Sequence, residues 1–327
     1  MSFNELIGNE KIKRILRSYI KNRGIPFSLI FSGPESAGLS SFALAFAKAV
    51  NCRKSDEDFC DKCDSCIEIS KGIYPDVTII YPEGQFYKKD QIKYLIEDNR
   101  KRPLKSEKKI YIISDASMMN ENSSNAFLKV LEEPSPSTIF ILLTNHFNLL
   151  LPTIRSRCQV LQFYHPSKSE LVRHYKKMGY DKEKIDLLSS LSQYGRLFNL
   201  EDNYFNFLEN RMKKLQILEK LLRDQKVEDV LLFLFDLSKA RSKFISVFEE
   251  MVNLISLYLR DIIIIKIGLE RDLIINIDFI EKFEVLKEYI TIEKGLTLIR
   301  RMEYILRDVK RNLNSKVLIQ EFINSYV

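Results

Sequence analysis

No stretch of the chain is apolar for long enough to cross a bilayer. The most apolar run, DIIIIKIG, sets four isoleucines between Asp261 and Lys266, far short of the roughly 20 residues a spanning helix needs. The opening residues, MSFNELIGNE, carry two acids and neither a basic nor an apolar leader region. No export signal is therefore predicted, and the cytoplasm, where thiols stay reduced, is the expected location. Tryptophan is absent, which decides nothing. Histidine is scarce, and His146, His165 and His174 show neither metal-ligand nor catalytic spacing. Proline stops at Pro166, so nothing of that kind breaks a helix further on. Internal repeats and low-complexity tracts are also missing.

What remains is ordinary globular material. The 327 residues suggest two or three domains, with 45% hydrophobic and 29% charged content. A net charge of +7 fits weak attraction to an acidic partner and equally a solvated basic surface.

Periodicity divides the chain. NEKIKRILRSYIKNRG places Ile12, Ile15, Leu16, Tyr19 and Ile20 on one helical face, with Gly24 as the expected stop. FSLIFSG reads as a buried strand and LSSFALAFAKAVNC as the helix after it. Further strands are predicted at DVTIIYPE (76–83), KKIYIISDA (108–116), STIFILLTN (137–145) and QVLQF (159–163), with helices at KDQIKYLIEDNRKR and NENSSNAFLKVLEEP between them. Strands alternating with amphipathic helices predict an open, mostly parallel α/β sheet over residues 1–163. Residues 164–203 read as short helices: KSELVRHYKKMG, DKEKIDLLSSLSQYG and RLFNLED. From 204 to 327 the pattern is helical throughout, with stripes such as LQILEKLL and VLLFLFDL, which predicts a separate all-α domain of four to six helices.

Four of the five cysteines fall in NCRKSDEDFCDKCDSC, as C-x7-C-x2-C-x2-C at Cys52, Cys60, Cys63 and Cys66. Clustered thiolates in a reduced chain suit Zn²⁺, and four protein ligands leave no open position for water, so the expected site is structural. A redox pair and an iron–sulfur cluster are the other readings of such a cluster. The acids around the quartet, Asp56, Glu57, Asp58, Asp61 and Asp64, are expected to solubilise the loop. Cys158 is distant and is not expected to be a ligand.

SGPESAGLSS (32–41) has Gly33, Gly38 and Ser40 at the spacing of a phosphate-binding loop, between a strand and a helix. Leu39 stands where that loop carries lysine. Ser114 stands where the magnesium-holding acid belongs at the end of a nearby strand, with Asp115 following. Two losses in one site argue against nucleotide hydrolysis. The glycines then have a structural reading, as a tight turn and a close helix–strand approach.

NAFLKVLEEPSPSTIFILLTN, followed by LPTIRSRCQVLQF, resembles the clamp-loader branch of the AAA+ ATPases. The likeness is strong over 1–163, weaker over the small lid, and present at the end in RNLNSKVLIQEFI. It implies an AAA+ module with a parallel five-stranded sheet and an inserted zinc loop at 52–66, a helical lid at 164–203 and a helical collar at 204–327. A cysteine quartet after the phosphate-loop helix also fits bacterial members.

Within that family the combination of a degenerate ATP site and an intact Ser156-Arg157-Cys158 triplet marks a subunit that does not hydrolyse ATP. Its Arg157, with Ser156 beside it, serves as an arginine finger in the ATP site of a neighbour. The resemblance further implies motor subunits of the gamma/tau type that bind the ATP, a delta-type subunit, a sliding clamp and primer–template DNA as partners, within a DNA polymerase holoenzyme. Thr144 and Asn145 match the family's sensor at a strand end, and Arg196 is a loose match to the lid arginine. Two other functions stand against this one: an autonomous AAA+ ATPase, and a zinc-dependent nucleic-acid-binding protein.

Overall fold

In the computed structural model the described residues are 2–83, 86–192, 204–224, 230, 234, 241–310 and 314–326. They fall into two units, one of residues 2–180 with Ser192, the other of residues 181–191 with the described residues from 204 onward.

The first unit holds a five-stranded sheet of β1 (Ser28–Ser32), β2 (Val77–Ile80), β3 (Lys109–Ile113), β4 (Thr138–Thr144) and β5 (Gln159–Gln162), in the order β2-β3-β4-β1-β5. Every pairing is parallel. Strands β1, β3 and β4 are buried at every position, as expected when helices cover both faces of a parallel sheet, and this is why SLIFS, KIYII and TIFILLT read as continuous runs. The edge strands β2 and β5 are only partly covered.

Six helices accompany the sheet: α1 (Glu10–Lys21), α2 (Leu39–Val50), α3 (Asp64–Ser70), α4 (Lys89–Asn99), α5 (Glu121–Glu132) and α6 (Pro152–Arg155). One core layer joins Leu16, Phe31, Phe42, Phe46 and Ile141. The other, on the opposite face, joins Ile30, Tyr111, Phe127, Phe140 and Ile154. Helix α5 begins where Asn120 accepts the Ser123 N–H at 2.9 Å, an N-cap.

Helix α1 ends one residue earlier than the sequence reading places it. Arg23, not Gly24, takes the left-handed conformation (φ 51°), and the Gly24 N–H closes the turn on the Tyr19 carbonyl at 3.1 Å. Between α4 and β3 the turn 100–108 wraps the fully buried Asp76, whose carboxylate accepts the N–H groups of Leu104 (2.7 Å), Lys105 (2.6 Å) and Ser106 (2.9 Å).

Helix α7 (Lys168–Lys177) follows β5, capped by a reciprocal Ser167–Glu170 box. Helix α8 (Lys182–Ser192) contributes Leu187 and Leu191 to a cluster with Ile275, Leu208, Leu257 and Ile277 of the second unit. Beyond 204 the described residues form helices Tyr204–Glu219, Arg241–Lys266, Ile280–Leu286, Ile292–Lys310 and Ser315–Asn324 around one apolar core. VLLFLFDL gives Val230 and Leu234 to that core, and its other residues lie outside the described ones. RLFNLED, with Arg196, lies outside them too. Among the described residues no helix is long and apolar enough to cross a membrane.

Candidate functional site

The strand–turn–helix that could cradle a phosphate is present, and it is closed on itself. Its residues 35–37 form a 3-10 turn, in which the Ala37 N–H is spent on the Pro34 carbonyl at 3.0 Å. Ser36, 2% exposed, is hydrogen-bonded through Oγ to His165 Nδ1. The Gly33 N–H is spent on the Thr144 carbonyl at 3.1 Å. Backbone N–H groups aimed at a ligand are what make such a loop an anion site, and here two of them serve the fold. Gly38 caps α2 at φ 71°, a left-handed backbone that L side chains avoid. Ser40 follows on the first turn of α2, exposed.

Leu39 is 7% exposed and belongs to the core beside Phe42, Ala43 and Phe163. The position that would carry a phosphate-gripping ammonium is therefore part of the packing. Strand β3 ends at Ile113, and the Ser114 carbonyl accepts the Tyr87 hydroxyl. Asp115 sits at φ 48° with its carboxylate taken by the Ser117 hydroxyl. Thr144 Oγ1 accepts the His146 N–H at 3.0 Å, so the sensor-like threonine caps a turn. Asn145 and His146 line an open cleft with Ser32, Gly33, Asn148 and Gln162 at the carboxyl ends of β1, β4 and β5. No aspartate, glutamate, lysine or arginine is among its lining residues.

The cysteine quartet converges. The sulfurs of Cys52, Cys60, Cys63 and Cys66 all lie within 4.8 Å of one another, close enough to share one ion at thiolate bond lengths of about 2.3 Å. Cys52 leaves the turn after α2, Cys60 and Cys63 flank a tight turn with Asp61 at φ 52°, and Cys66 lies on α3. The Cys63 N–H points to Cys60 Sγ at 3.3 Å. Backbone N–H donation from Lys62, then from Cys63, against an opposing effect of burial, brings the Cys60 thiol down to about 6, which favours the thiolate a metal requires. Four soft ligands in this arrangement can hold a metal ion. Cys158, half-buried against the other core layer, has no part in it.

Three acids of this module do more than solubilise it. Asp58 accepts the Phe3 N–H at 3.0 Å and pairs with Arg17 at 2.9 Å. Asp61 pairs with Lys48 at 2.8 Å, and that ammonium also lies 5.4 Å over the Phe59 ring. Glu57 pairs with Lys21 at 3.2 Å. The loop is thus fastened to α1, α2 and the N-terminal turn, which a count of charges cannot reveal.

Arg157 occupies the turn between α6 and β5. Its Nη1 donates to the Thr153 carbonyl at 3.1 Å and its Nη2 pairs with Glu132 at 2.9 Å, the side chains being 38% and 50% exposed. Ser156 Oγ donates to the same Thr153 carbonyl at 3.1 Å. Strands β1 and β5 are parallel, with Leu29 level with Gln159 and Ser32 with Gln162. The glycine loop follows β1, whereas Arg157 precedes β5. The two therefore lie at opposite ends of the sheet, at least roughly 10 Å apart along the strands. Sequence reading missed Glu132, which stands inside LEEP with nothing to mark it, and the contact of His165 with Ser36 across 129 residues.

A family profile described as "DNA polymerase III, delta subunit" matches residues 8–167. The DNA polymerase III subunit delta' of Bacillus subtilis is 29% identical over 325 residues, covering 99% of this chain and 96% of that protein. The gamma/tau subunit of Mycoplasma genitalium is 32% identical over 231 residues, which span 67% of this chain and only 38% of that longer protein. A gamma subunit-related protein of Thermotoga maritima aligns over 97% of both chains at 20% identity and a TM-score of 0.41, too low to carry weight. Along nearly its whole length the chain is similar in sequence to the delta' subunit of DNA polymerase III, and over two thirds of it to gamma/tau subunits.

Proposed function

We propose that the chain is a delta'-type subunit: it hydrolyses no ATP itself and supplies Arg157 in trans to the ATP site of a neighbouring motor subunit. The observation that carries this is an asymmetry. At one end of the sheet Leu39 is packed into the core and Ser114 replaces the metal-binding acid. At the other end Arg157 is exposed and oriented. A guanidinium so placed cannot reach its own loop, but it can meet the phosphates of a nucleotide held by another chain. There it would stabilise charge that develops during transfer, a role worth about 10³–10⁵ in rate in GTPases.

In this reading the cysteine quartet holds a structural zinc ion, which supplies a cross-link to a loop that lacks a core of its own. Residues 1–163 form the AAA+ module, 164–203 the lid and 204–327 a helical collar that joins the collars of gamma/tau and delta subunits. The assembled complex loads a sliding clamp on primer–template DNA in the cytoplasm, and contacts DNA mainly through charge.

The test is reconstitution with motor subunits, delta subunit and clamp, followed by DNA-stimulated ATPase. Arg157→Ala is expected to assemble and to turn over more slowly, and equal rates would remove the role in trans. The 32% identity to a gamma/tau protein favours a second reading, an autonomous motor. It requires the purified chain to hydrolyse Mg·ATP by itself, which Leu39 and Ser114 oppose.

A further inference from the structure

We propose that Glu132 is a positioning residue for Arg157, holding its guanidinium ready for the neighbour's nucleotide. The inference rests on the reading of Arg157 given above. Two anchors from different elements hold this side chain. The Thr153 carbonyl, at 3.1 Å, belongs to α6 just before the arginine itself. The Glu132 carboxylate, at 2.9 Å, comes from the end of α5. A bond to its own turn leaves a long side chain free to swing about its other torsions, and the second anchor removes that freedom. Arginine offers five N–H donors in a planar fork. Two are engaged here, and three are left for phosphate oxygens.

The pair does little for the fold. Both side chains are well exposed, and exposed ion pairs contribute little to stability. The benefit of this one falls on the arginine: a group pre-set near its working geometry spends less binding energy on being ordered. Glu132 also closes α5 directly before Glu133, whose N–H caps the helix on the Lys129 carbonyl. Its backbone is therefore set by the end of a helix and not by a loose loop.

The experiment measures the complete loader on primed DNA with Arg157→Ala, Glu132→Ala, Glu132→Gln and the double variant Glu132→Ala/Arg157→Ala. The energy of an exposed pair converts to a loss of about two- to fivefold. Glu132→Ala is expected to lower kcat by that factor with KM for ATP unchanged. Glu132→Gln, which keeps an acceptor oxygen, is expected to recover part of the loss. The double variant is expected to be no slower than Arg157→Ala alone. Melting temperature and gel filtration confirm that each variant folds and assembles, and Glu132→Gln stands in if the alanine variant does not. A normal kcat for Glu132→Ala beside a slow Arg157→Ala would overturn the role of Glu132 alone. So would losses that add in the double variant, or a rate that rises. Normal rates for every variant would overturn the arginine finger itself.

Discussion

The carbonyl oxygen of Phe163 closes on Gly33 so nearly that a β-carbon at position 33 would stand 2.6 Å from it. The glycine makes room for the chain that leaves β5. Gly33→Ala must push the Phe163 backbone away or distort the turn, at a cost of about 1–3 kcal/mol. A urea titration is expected to show a lower midpoint with an unchanged slope. An unchanged midpoint would mean that β5 has room to yield.

Metal content should depend on four cysteines and not on the fifth. Native mass spectrometry is expected to find one zinc ion per chain, lost on treatment with a strong chelator. Cys60→Ser should lose it as well, and both should melt at a lower temperature, because binding free energy at such a site is folding free energy. Cys158→Ser, outside the cluster, should keep the ion. A chain that purifies without metal and is indifferent to Cys60→Ser would refute the zinc assignment.

Asp58 ties the cysteine loop to both Phe3 and Arg17. Asp58→Ala removes the acceptor for both and is expected to destabilise by about 1–3 kcal/mol. The local consequence is more telling than the global one. Limited proteolysis should cut sooner within 52–66 and ahead of α1. Cutting confined to other segments would show that the anchor is dispensable.

Acid should undo the turn around Asp76. Burial on its own would raise this carboxyl, yet the N–H donors of Leu104, Lys105 and Ser106 outweigh it and hold it below the usual carboxylate range. Its folded-state pKa is therefore depressed. The stability it lends is present above the ordinary value of about 3.9 and is lost as pH falls through the lower folded value. Asp76→Asn is expected to cost about 1–3 kcal/mol at pH 7 and progressively less below pH 4. Urea midpoints of the two proteins compared at pH 7 and pH 3 check this, and a gap that does not narrow in acid would contradict it.

Much of the first unit was legible because its determinants are local. Five expected strands are present, three of them buried throughout, and KDQIKYLIEDN and ENSSNAFLKVLE became helices, since their pattern is carried by each segment itself. The cysteine quartet was legible for the same reason, its ligands lying within fifteen residues. Contacts between distant segments were not. Nothing near Ser36 announces His165, nothing near Asp58 announces Phe3, and nothing near Arg157 announces Glu132. At the end of α1 the stop was expected at Gly24, and the left-handed conformation that closes the helix falls on Arg23 just before it. The affiliation of α8 depends on Ile275, more than 80 residues away, and no local pattern encodes it.

The burial of Leu39 has a historical consequence. A codon change that put lysine there would not reawaken an idle engine, for it would drive an ammonium into the space among Phe42, Ala43 and Phe163 and still find serine at 114. Recovery of ATP cleavage would need several coordinated replacements, none of them useful singly. If the function proposed above holds, such a lineage is channelled toward activating a neighbour.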